Sequence, residues 1–328
     1  MAADGGRCLG LAWAKLWVRC GKITTGRRQR PMTAKEAQRW QDGITAAETV
    51  LAGAELVTVV SDREADIYES WARPLPANLH LLARAAQNRS LRDGGSLFPA
   101  CDRLTVADRY ELEVPRQPGR PARCAQIELR FSKVELMCPH WLRQRRAPLP
   151  ESVALSVVDV RECGPRSGPE PPLHWRLLTT HVVNTAAEAQ QIVEWYRQRW
   201  NIEQLFWTLK RQGLDIEASQ VETADGLSKL AFLATLAARI MQLVHARDGT
   251  TPIPADEVFT ADEVETLRLQ QPTLEGRTAK QKNPHAPGSL AWASWTIARL
   301  GGSESPPGPI TMRHGSPGSK PSATPMPS

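Results

Sequence analysis

A series of short alternating segments between residues 75 and 182 constrains the fold more than any other feature of the sequence. Apolar and polar residues alternate in six segments separated by Gly- and Pro-rich turns, namely residues 79–83, 110–114, 127–131, 134–137, 153–160 and 175–179. This alternation is typical of β-strands. Residues 56–60 (LVTVV) precede the series and predict a buried central strand. Helical patterns lie on both sides, so the sequence predicts an α/β fold in which helices flank the strands.

Capping signals and helical periodicity predict the helices. Thr33 with Glu36, Thr185 with Glu188 and Thr260 with Glu263 have the spacing of capping boxes. Residues 225–245 are apolar nearly all round and predict a buried helix, and residues 289–300 predict another that ends on Gly301 and Gly302. Of the 28 residues from 301 to 328, 18 are Gly, Pro or Ser, and we expect this tail to be disordered. The predicted regions are therefore 1–74, 75–182, 183–300 and 301–328.

The N-terminal residues contain a predicted strand and a basic loop. Residues 9–18 (LGLAWAKLWV) are apolar on both faces apart from Lys15 and predict a strand. Lys22, Arg27, Arg28 and Arg30 follow in a Gly- and Thr-containing loop. This loop suits contacts with phosphates, and it equally suits an ordinary solvated surface.

The overall charge and the apolar runs narrow the class of protein. The net charge of +6 and the pI of about 9.1 lean toward polyanionic partners. We find no run of 18 apolar residues and no signal-peptide core, so we expect a soluble intracellular protein without a membrane partner. The six cysteines form no CxxC or Cys/His pair, which argues against a structural zinc site.

Residues 195–210 (WYRQRWNIEQLFWTLK) form a helical stretch with two distinct faces. Steps of three and four place Tyr196, Arg199, Glu203, Trp207 and Lys210 on one face. A second, apolar stripe is expected to face a core and consists of Ile202, Leu205, Phe206 and Leu209. The first face could be a solvated surface with Arg199–Glu203 and Glu203–Lys210 contacts, or it could be a functional site.

Asp62 immediately follows the predicted strand at residues 56–60. Ser61 and Glu64 have the spacing of a capping box, so Asp62 could simply stabilise a helix N-terminus. Alternatively, it could be a carboxylate at the C-terminal end of a strand, where open α/β sheets bind their ligands.

Two motifs together resemble those of a known family. Tyr196, two residues, Arg199, three residues, Glu203, six residues and Lys210 resemble the signature of bacterial insertion-sequence transposases of the DDE class, in the insertion-sequence-four family. VVSDREADIYE resembles the block around the second catalytic Asp of the same family. The resemblance implies that Asp62 is the second acid and that Glu203, 141 residues later, is the third. It also implies a ribonuclease H-like fold, a mixed sheet with flanking helices, and a β-rich insertion, here residues 75–182, between these two acids.

The resemblance assigns roles to individual residues. Asp62 and Glu203 would bind Mg²⁺, with Mn²⁺ as a substitute, for the cleavage and transfer of DNA strands. Tyr196, Arg199 and Lys210 would contact phosphates beside the scissile bond. Trp175 would stack on a nucleotide flipped out of the duplex, although it could also simply pack in the sheet. Further contacts with the DNA backbone, or alternatively a solvated face, are open to Arg84, Gln87, Asn88, Arg89, Arg143, Arg145 and Arg146.

The same resemblance implies partners and one missing residue. The partner would be double-stranded DNA, both the terminal repeats of the element and the target, bound by a homodimer in the bacterial cytoplasm at the nucleoid. The first catalytic Asp of the family would fall before Met1, and Asp4 lies in a turn-like segment. We therefore expect a truncated transposase that is inactive alone. The alternatives are a non-catalytic DNA-binding or dimerising fragment that inhibits a full-length transposase, and a remnant without function.

Overall fold

Alternating β-segments assemble into a single mixed sheet with helices on both faces. A computed structural model describes residues 1–2, 7–15, 37–114, 122–143, 149–164, 171–211, 224–246, 249 and 252–301. Its strands are β1 (Val57–Ser61), β2 (Leu79–Arg84), β3 (Asp108–Val114), β4 (Arg123–Met137), β5 (Ser152–Cys163) and β6 (His174–Thr179). They are arranged in the order β1-β2-β6-β5-β4-β3. β1 and β2 are parallel, and the remaining neighbours are antiparallel.

The alternating pattern predicted these strands well, with two exceptions. Residues 127–131 and 134–137 are parts of the same strand, β4, rather than two strands. Residues 56–60 were predicted as a central strand. This is wrong for the sheet of the described strands, because β1 is its outermost strand. Its middle residues are only half-buried for that reason. The strands of residues 75–182 extend the same sheet that β1 begins, and the division into regions remains a prediction.

Nine α-helices are present among the described residues: α1 (Gln38–Val50), α2 (Tyr68–Trp71), α3 (Leu97–Arg103), α4 (His140–Arg143), α5 (Ala186–Gln198), α6 (Asn201–Arg211), α7 (Ala224–Ala246), α8 (Ala261–Leu274) and α9 (Leu290–Leu300). The capping boxes at Thr185 and Thr260 are confirmed. The helix at residues 289–300 is also confirmed, since Ser289 caps α9 and Gly301 ends it. The Thr33–Glu36 box, residues 16–18, the basic loop with Lys22, and the tail after Gly301 lie outside the described residues.

Three helical predictions require correction. Only strands were predicted within residues 75–182, yet this region also contains the short helices α3 and α4. The helix expected after Ser61 is instead a short 3₁₀ turn, Arg63–Ala65, followed by α2. α7 is not buried all round, because Leu236 is exposed.

The segment at residues 7–15 differs from its prediction as well. Residues 9–15 are described and are not a strand. Cys8 packs with Leu205 and Met241, and Lys15 forms an ion pair with Asp42 of α1. Cys8 and Leu11 of this segment therefore pack with α6 and α7 rather than in the sheet, whereas Leu9 and Trp13 are exposed.

The two faces of the sheet bury separate cores. Because side chains alternate along a strand, the neighbours Leu177 and Leu178 of β6 point to opposite faces. Leu178 packs with Ile44 of α1 and with α3, whereas Leu177 packs with Ile192 and other residues of α5. A further core forms among α7, α8 and α9 around the fully buried Trp292. No helix in the described part of the chain is long and apolar enough to cross a membrane.

Candidate nucleic-acid interface

Several candidate residues lie at one edge of the sheet, which is formed by the C-terminal ends of β1 and β2 and the N-terminal end of β6. β1 and β2 run parallel in a register that pairs Ser61 with Ala83, so Asp62 and Arg84 follow at the same edge. β6 is antiparallel to β2 and pairs Leu177 with Arg84, which places the beginning of β6, including Trp175, at this edge too. The sheet topology therefore gathers an acid, a base and an aromatic residue that lie far apart in the sequence.

Asp62 is half-buried and caps the 3₁₀ turn that follows β1. Its Oδ1 accepts a hydrogen bond from the backbone N–H of Glu64 at 2.8 Å. The predicted cap, Ser61, is instead the buried last residue of β1. The structural role weighed for Asp62 is thus present, and it uses one of the two carboxylate oxygens.

Arg84 is a half-buried guanidinium beside two further arginines. Its Nη2 donates to the backbone oxygen of His174 at 2.7 Å. Burial lowers the pKa of Arg84, Tyr196 raises it, and the charges of Arg63 and Arg199 lower it again. Three guanidinium groups therefore lie within electrostatic range of one another, and such a concentration of positive charge favours a polyanion.

Tyr196 lies at the centre of the cluster. Its ring makes an edge contact with Trp175, with 5.2 Å between centroids, and the guanidinium of Arg199 lies 5.9 Å from its centroid. Burial raises the pKa of Tyr196, while the Arg199 and Arg84 charges lower it and the Asp62 carboxylate raises it. The phenol therefore lies within electrostatic range of both the arginines and Asp62.

Glu203 joins this cluster through Arg199. The Arg199 Nη2 and Glu203 Oε1 atoms are 3.3 Å apart, and the Glu203 side chain is 44% exposed. This contact is the one expected for a solvated helical face, and it also places an accessible carboxylate next to Arg199. The side chains of Trp207 and Lys210 lie outside those described, although their backbone belongs to α6.

A model of the transposase DDE domain family matches residues 24–240, about two thirds of the chain. The chain belongs to the transposase DDE domain family. Members of this class act on DNA by phosphoryl transfer, so this chain is a DNA transposase by family and DNA is its partner. The match covers every residue of the cluster just described.

The helical stretch at residues 195–210 is interrupted at Arg199 and Trp200. Residues 195–210 were predicted as one helix, but α5 ends at Gln198 and α6 begins at Asn201. The N–H groups of Arg199 and Glu203 instead donate to carbonyls three residues earlier. α5 packs on the sheet whereas α6 packs on α7, so this tighter turn lies where the chain passes from one core to another.

The apolar stripe of α6 is also only partly as predicted. Leu205 is buried against α7, but Ile202 is 43% exposed and Phe206 is 52% exposed. The prediction that this stripe faces a core is wrong for these two residues, since among the described residues α6 packs mainly on α7. Leu209 lies outside the described side chains.

Arg89 does not belong to the exposed surface of the transposase domain. Its side chain is 5% exposed and forms a buried ion pair with Asp66. The structure therefore gives no support for contact between Arg89 and DNA. Asn88 is exposed, and its side chain bonds to the hydroxyl of Ser96 and the backbone N–H of Phe98. Arg143 donates to the carbonyl of Cys138. Arg145 and Arg146 lie outside the described residues.

Sequence reasoning missed two contributors to the site. Arg63 is exposed and lies within electrostatic range of Arg84, and its position directly after Asp62 was the available signal. Asp66 is fully buried and connects the turns after β1 and β2. Only its place in the same short motif could have indicated it, since sequence alone does not show which carboxylates are buried.

DDE transposases generally use divalent metal ions, and the donor chemistry here fits in part. Asp62 and Glu203 provide the carboxylate oxygens that Mg²⁺ prefers. Within the described residues, no three Asp, Glu, His or Cys side chains gather closely enough to hold a metal. If Asp62 and Glu203 bind a metal, the remaining ligands must come from other groups.

Proposed function

We propose that the chain is the transposase of an insertion sequence of the insertion-sequence-four family, and that the edge bearing Asp62, Arg84, Trp175, Tyr196 and Glu203 binds the DNA strand to be cut. The observation that carries the proposal is the central position of Tyr196. Its ring contacts Trp175, and its hydroxyl lies in the field of Arg84, Arg199 and Asp62. A partly exposed aromatic ring, a concentration of positive charge and a carboxylate thus meet at one place.

Arginines at this edge would bind the phosphates of the strand. Arg84 is held by the carbonyl of His174, whereas Arg199 lies beside the Tyr196 ring and pairs with the exposed Glu203 carboxylate. Exposed ion pairs contribute about 0–1 kcal/mol, so Arg199 can exchange Glu203 for a phosphate at little cost. That exchange would also release the Glu203 carboxylate. Lys210, which completes the family signature, would add a further positive charge.

Trp175 would support an extruded base, while Tyr196, which is 6% exposed, would hold the Trp175 ring in place. Base–aromatic stacking contributes about 1–3 kcal/mol per base, which offsets part of the stacking lost in the duplex. Trp175 is half-buried against the core and contacts Tyr196 edge to face, so packing in the sheet and stacking on DNA are compatible roles for it.

Asp62 and Glu203 would be the ligands of Mg²⁺, or of Mn²⁺ in its place. Such an ion, when bound, would supply activation of the attacking oxygen and stabilisation of the leaving oxygen. The two carboxylates would fix the position of the reacting phosphate relative to Arg84 and Arg199. The proposal extends to a ribonuclease H-like core, a homodimer on the element ends, and action at the nucleoid.

Binding of a short labelled DNA duplex to matched arginine variants tests the proposed interface. Arg84→Ala and Arg199→Ala should each weaken binding and lower the salt dependence by about one phosphate contact. Arg92→Ala and Arg109→Ala are the controls, because these exposed arginines pair with Glu135 and Glu128 and lie outside the proposed interface. Equal losses in both pairs would show that DNA binds by overall charge and would contradict this interface.

A further inference from the structure

Asp66 is the most extensively hydrogen-bonded carboxylate in the part of the chain that the structure describes. Its side chain is fully buried, and its Oδ1 accepts from Arg89 Nε at 2.9 Å, Arg89 Nη2 at 2.8 Å and Trp71 Nε1 at 3.2 Å. Its Oδ2 accepts from the backbone N–H groups of Ala86 at 2.8 Å and Gln87 at 3.2 Å. Both oxygens are thus occupied, and the carboxylate is unsuited to binding a ligand.

These contacts connect two turns that are remote in sequence. Asp66 ends the turn that begins with Asp62, and its N–H donates to the carbonyl of Arg63. Ala86 and Gln87 belong to the turn that begins after Arg84. The ion pair is reinforced from the other side, since Arg89 Nη2 also donates to the backbone oxygen of Asp66 at 2.6 Å. The carboxylate therefore fixes the turn of Asp62 against the turn of Arg84.

Resting on the proposed function, we propose that Asp66, held by Arg89, is a positioning residue that sets Asp62 and Arg84 in place at the DNA-binding edge. The geometry is specific to a carboxylate. An asparagine at this position would turn its NH₂ group toward the donors of Arg89 and Trp71 or toward those of Ala86 and Gln87. Either orientation breaks the hydrogen bonds that one of the two carboxylate oxygens accepts. Both leave the buried guanidinium of Arg89 without its counter-ion.

Site-resolved amide hydrogen exchange, well below the melting temperature, tests whether Asp66 holds the two turns together. Asp66→Asn should accelerate exchange at Ala86 and Gln87 and in the turn of Asp62. Arg89→Lys, which retains the charge but not the planar fork, should do so less strongly and serves if Asp66→Asn does not fold. The control is Leu129→Ala, a fully buried change in β4. Unchanged protection at Ala86 and Gln87, or acceleration spread as evenly as in the control, would overturn the proposal.

A double-mutant cycle on binding of the same short DNA duplex tests the positioning role. If Asp66 acts through Arg84, Asp66→Asn should weaken binding by about the same factor as Arg84→Ala, and the double variant should lose nothing further. Wild-type affinity of folded Asp66→Asn, or losses that multiply in the double variant, would overturn the role. If Arg84→Ala instead behaves like Arg109→Ala, the proposed interface has failed. The positioning role then fails with it. The exchange experiment still tests whether Asp66 holds the two turns together.

Discussion

At the scale of single residues, Arg199 is where the two parts of the candidate site meet. Its guanidinium contacts the Glu203 carboxylate and also lies beside the ring of Tyr196. Tyr196 belongs to the core of the sheet, whereas Glu203 is on the exposed side of α6. A change of partner by Arg199 would therefore connect phosphate binding at the sheet edge with the availability of Glu203.

Glu203→Gln should change DNA binding in a way that depends on metal. Without divalent ions the variant should bind a duplex more tightly, because one negative charge is removed beside the phosphates. Addition of Mn²⁺ should strengthen binding by the wild-type chain and have a smaller effect on the variant. Fluorescence anisotropy with and without Mn²⁺ measures both effects. Glu194→Gln on α5 is the matched control, and an identical response of the two variants would contradict the assignment of Glu203.

His181 should make the stability of the fold depend on pH. Its ring stacks on His80 with 3.9 Å between centroids, and its Nε2 lies 2.9 Å from the hydroxyl of Thr58. Burial, followed by the charge of His80, lowers the pKa of His181 to about 4. In the unfolded chain it is about 6.5, so protonation favours unfolding and stability is lost as the pH falls from about 6.5 toward 4.

Urea unfolding at pH 7 and at about pH 5, above the usual range of carboxyl groups, measures this dependence. His181→Gln should remove much of the loss of unfolding free energy between the two values. His140→Gln, a change at an exposed histidine, should leave it intact. An unchanged pH dependence in His181→Gln would show that His181 is not responsible.

At the scale of elements, the sequence predicted what local periodicity determines. Alternation gave the strands, and the spacing of Thr185 and Glu188 gave the start of α5. The break at Arg199 and Trp200 has no such signal, since the stretch contains neither Gly nor Pro. It follows from tertiary packing, because Tyr196 is anchored on the sheet while Leu205 is anchored on α7. The outermost position of β1 among the described strands likewise depends on which strands pair with it and not on its composition.

The two sides of α6 should respond differently to truncation. Leu205→Ala removes a buried side chain and should lower the free energy of unfolding by about 2 kcal/mol or more. Phe206→Ala, next to it but 52% exposed, should change it by only about 0.5 kcal/mol. Chemical denaturation of the two variants provides the comparison. Equal and large losses would show that Phe206 is covered in the folded protein.

At the scale of the whole molecule, the two candidate carboxylates are carried by elements that pack in different cores. Asp62 follows a strand of the sheet, and Glu203 lies on a helix that packs on α7. The segment at residues 7–15 touches both parts, since Cys8 packs beside Leu205 and Lys15 pairs with α1. The mutual placement of the two acids therefore depends on this segment as well as on the turn between α5 and α6.

The candidate site was predictable where spacing alone defines it. Tyr196, Arg199 and Glu203 could be grouped because helical steps relate them, and the fold brings Arg199 into contact with the other two. Arg89 could not be separated from Arg84 in the same way. Both lie at or just after the end of β2, but Arg89 is buried on Asp66 while Arg84 lies within electrostatic range of Tyr196. Only the packing of the turns decides this difference.

DNA binding by the whole chain should depend strongly on salt. With a net charge of +6, binding to phosphates releases counter-ions, and affinity should fall steeply as salt rises. Titration of a short duplex at several salt concentrations measures the slope. A salt-independent affinity, or no detectable binding at low salt, would contradict the basic interface.

The central claim is that Asp62 and Glu203 share one metal site at the DNA-binding edge. A crystal structure of the chain bound to a DNA duplex in Mn²⁺, with anomalous diffraction to locate the metal, tests it most directly. We predict a manganese peak about 2 Å from carboxylate oxygens of both residues and next to a phosphate. A peak remote from either residue, or carboxylates more than about 10 Å apart across packed side chains, would contradict the claim.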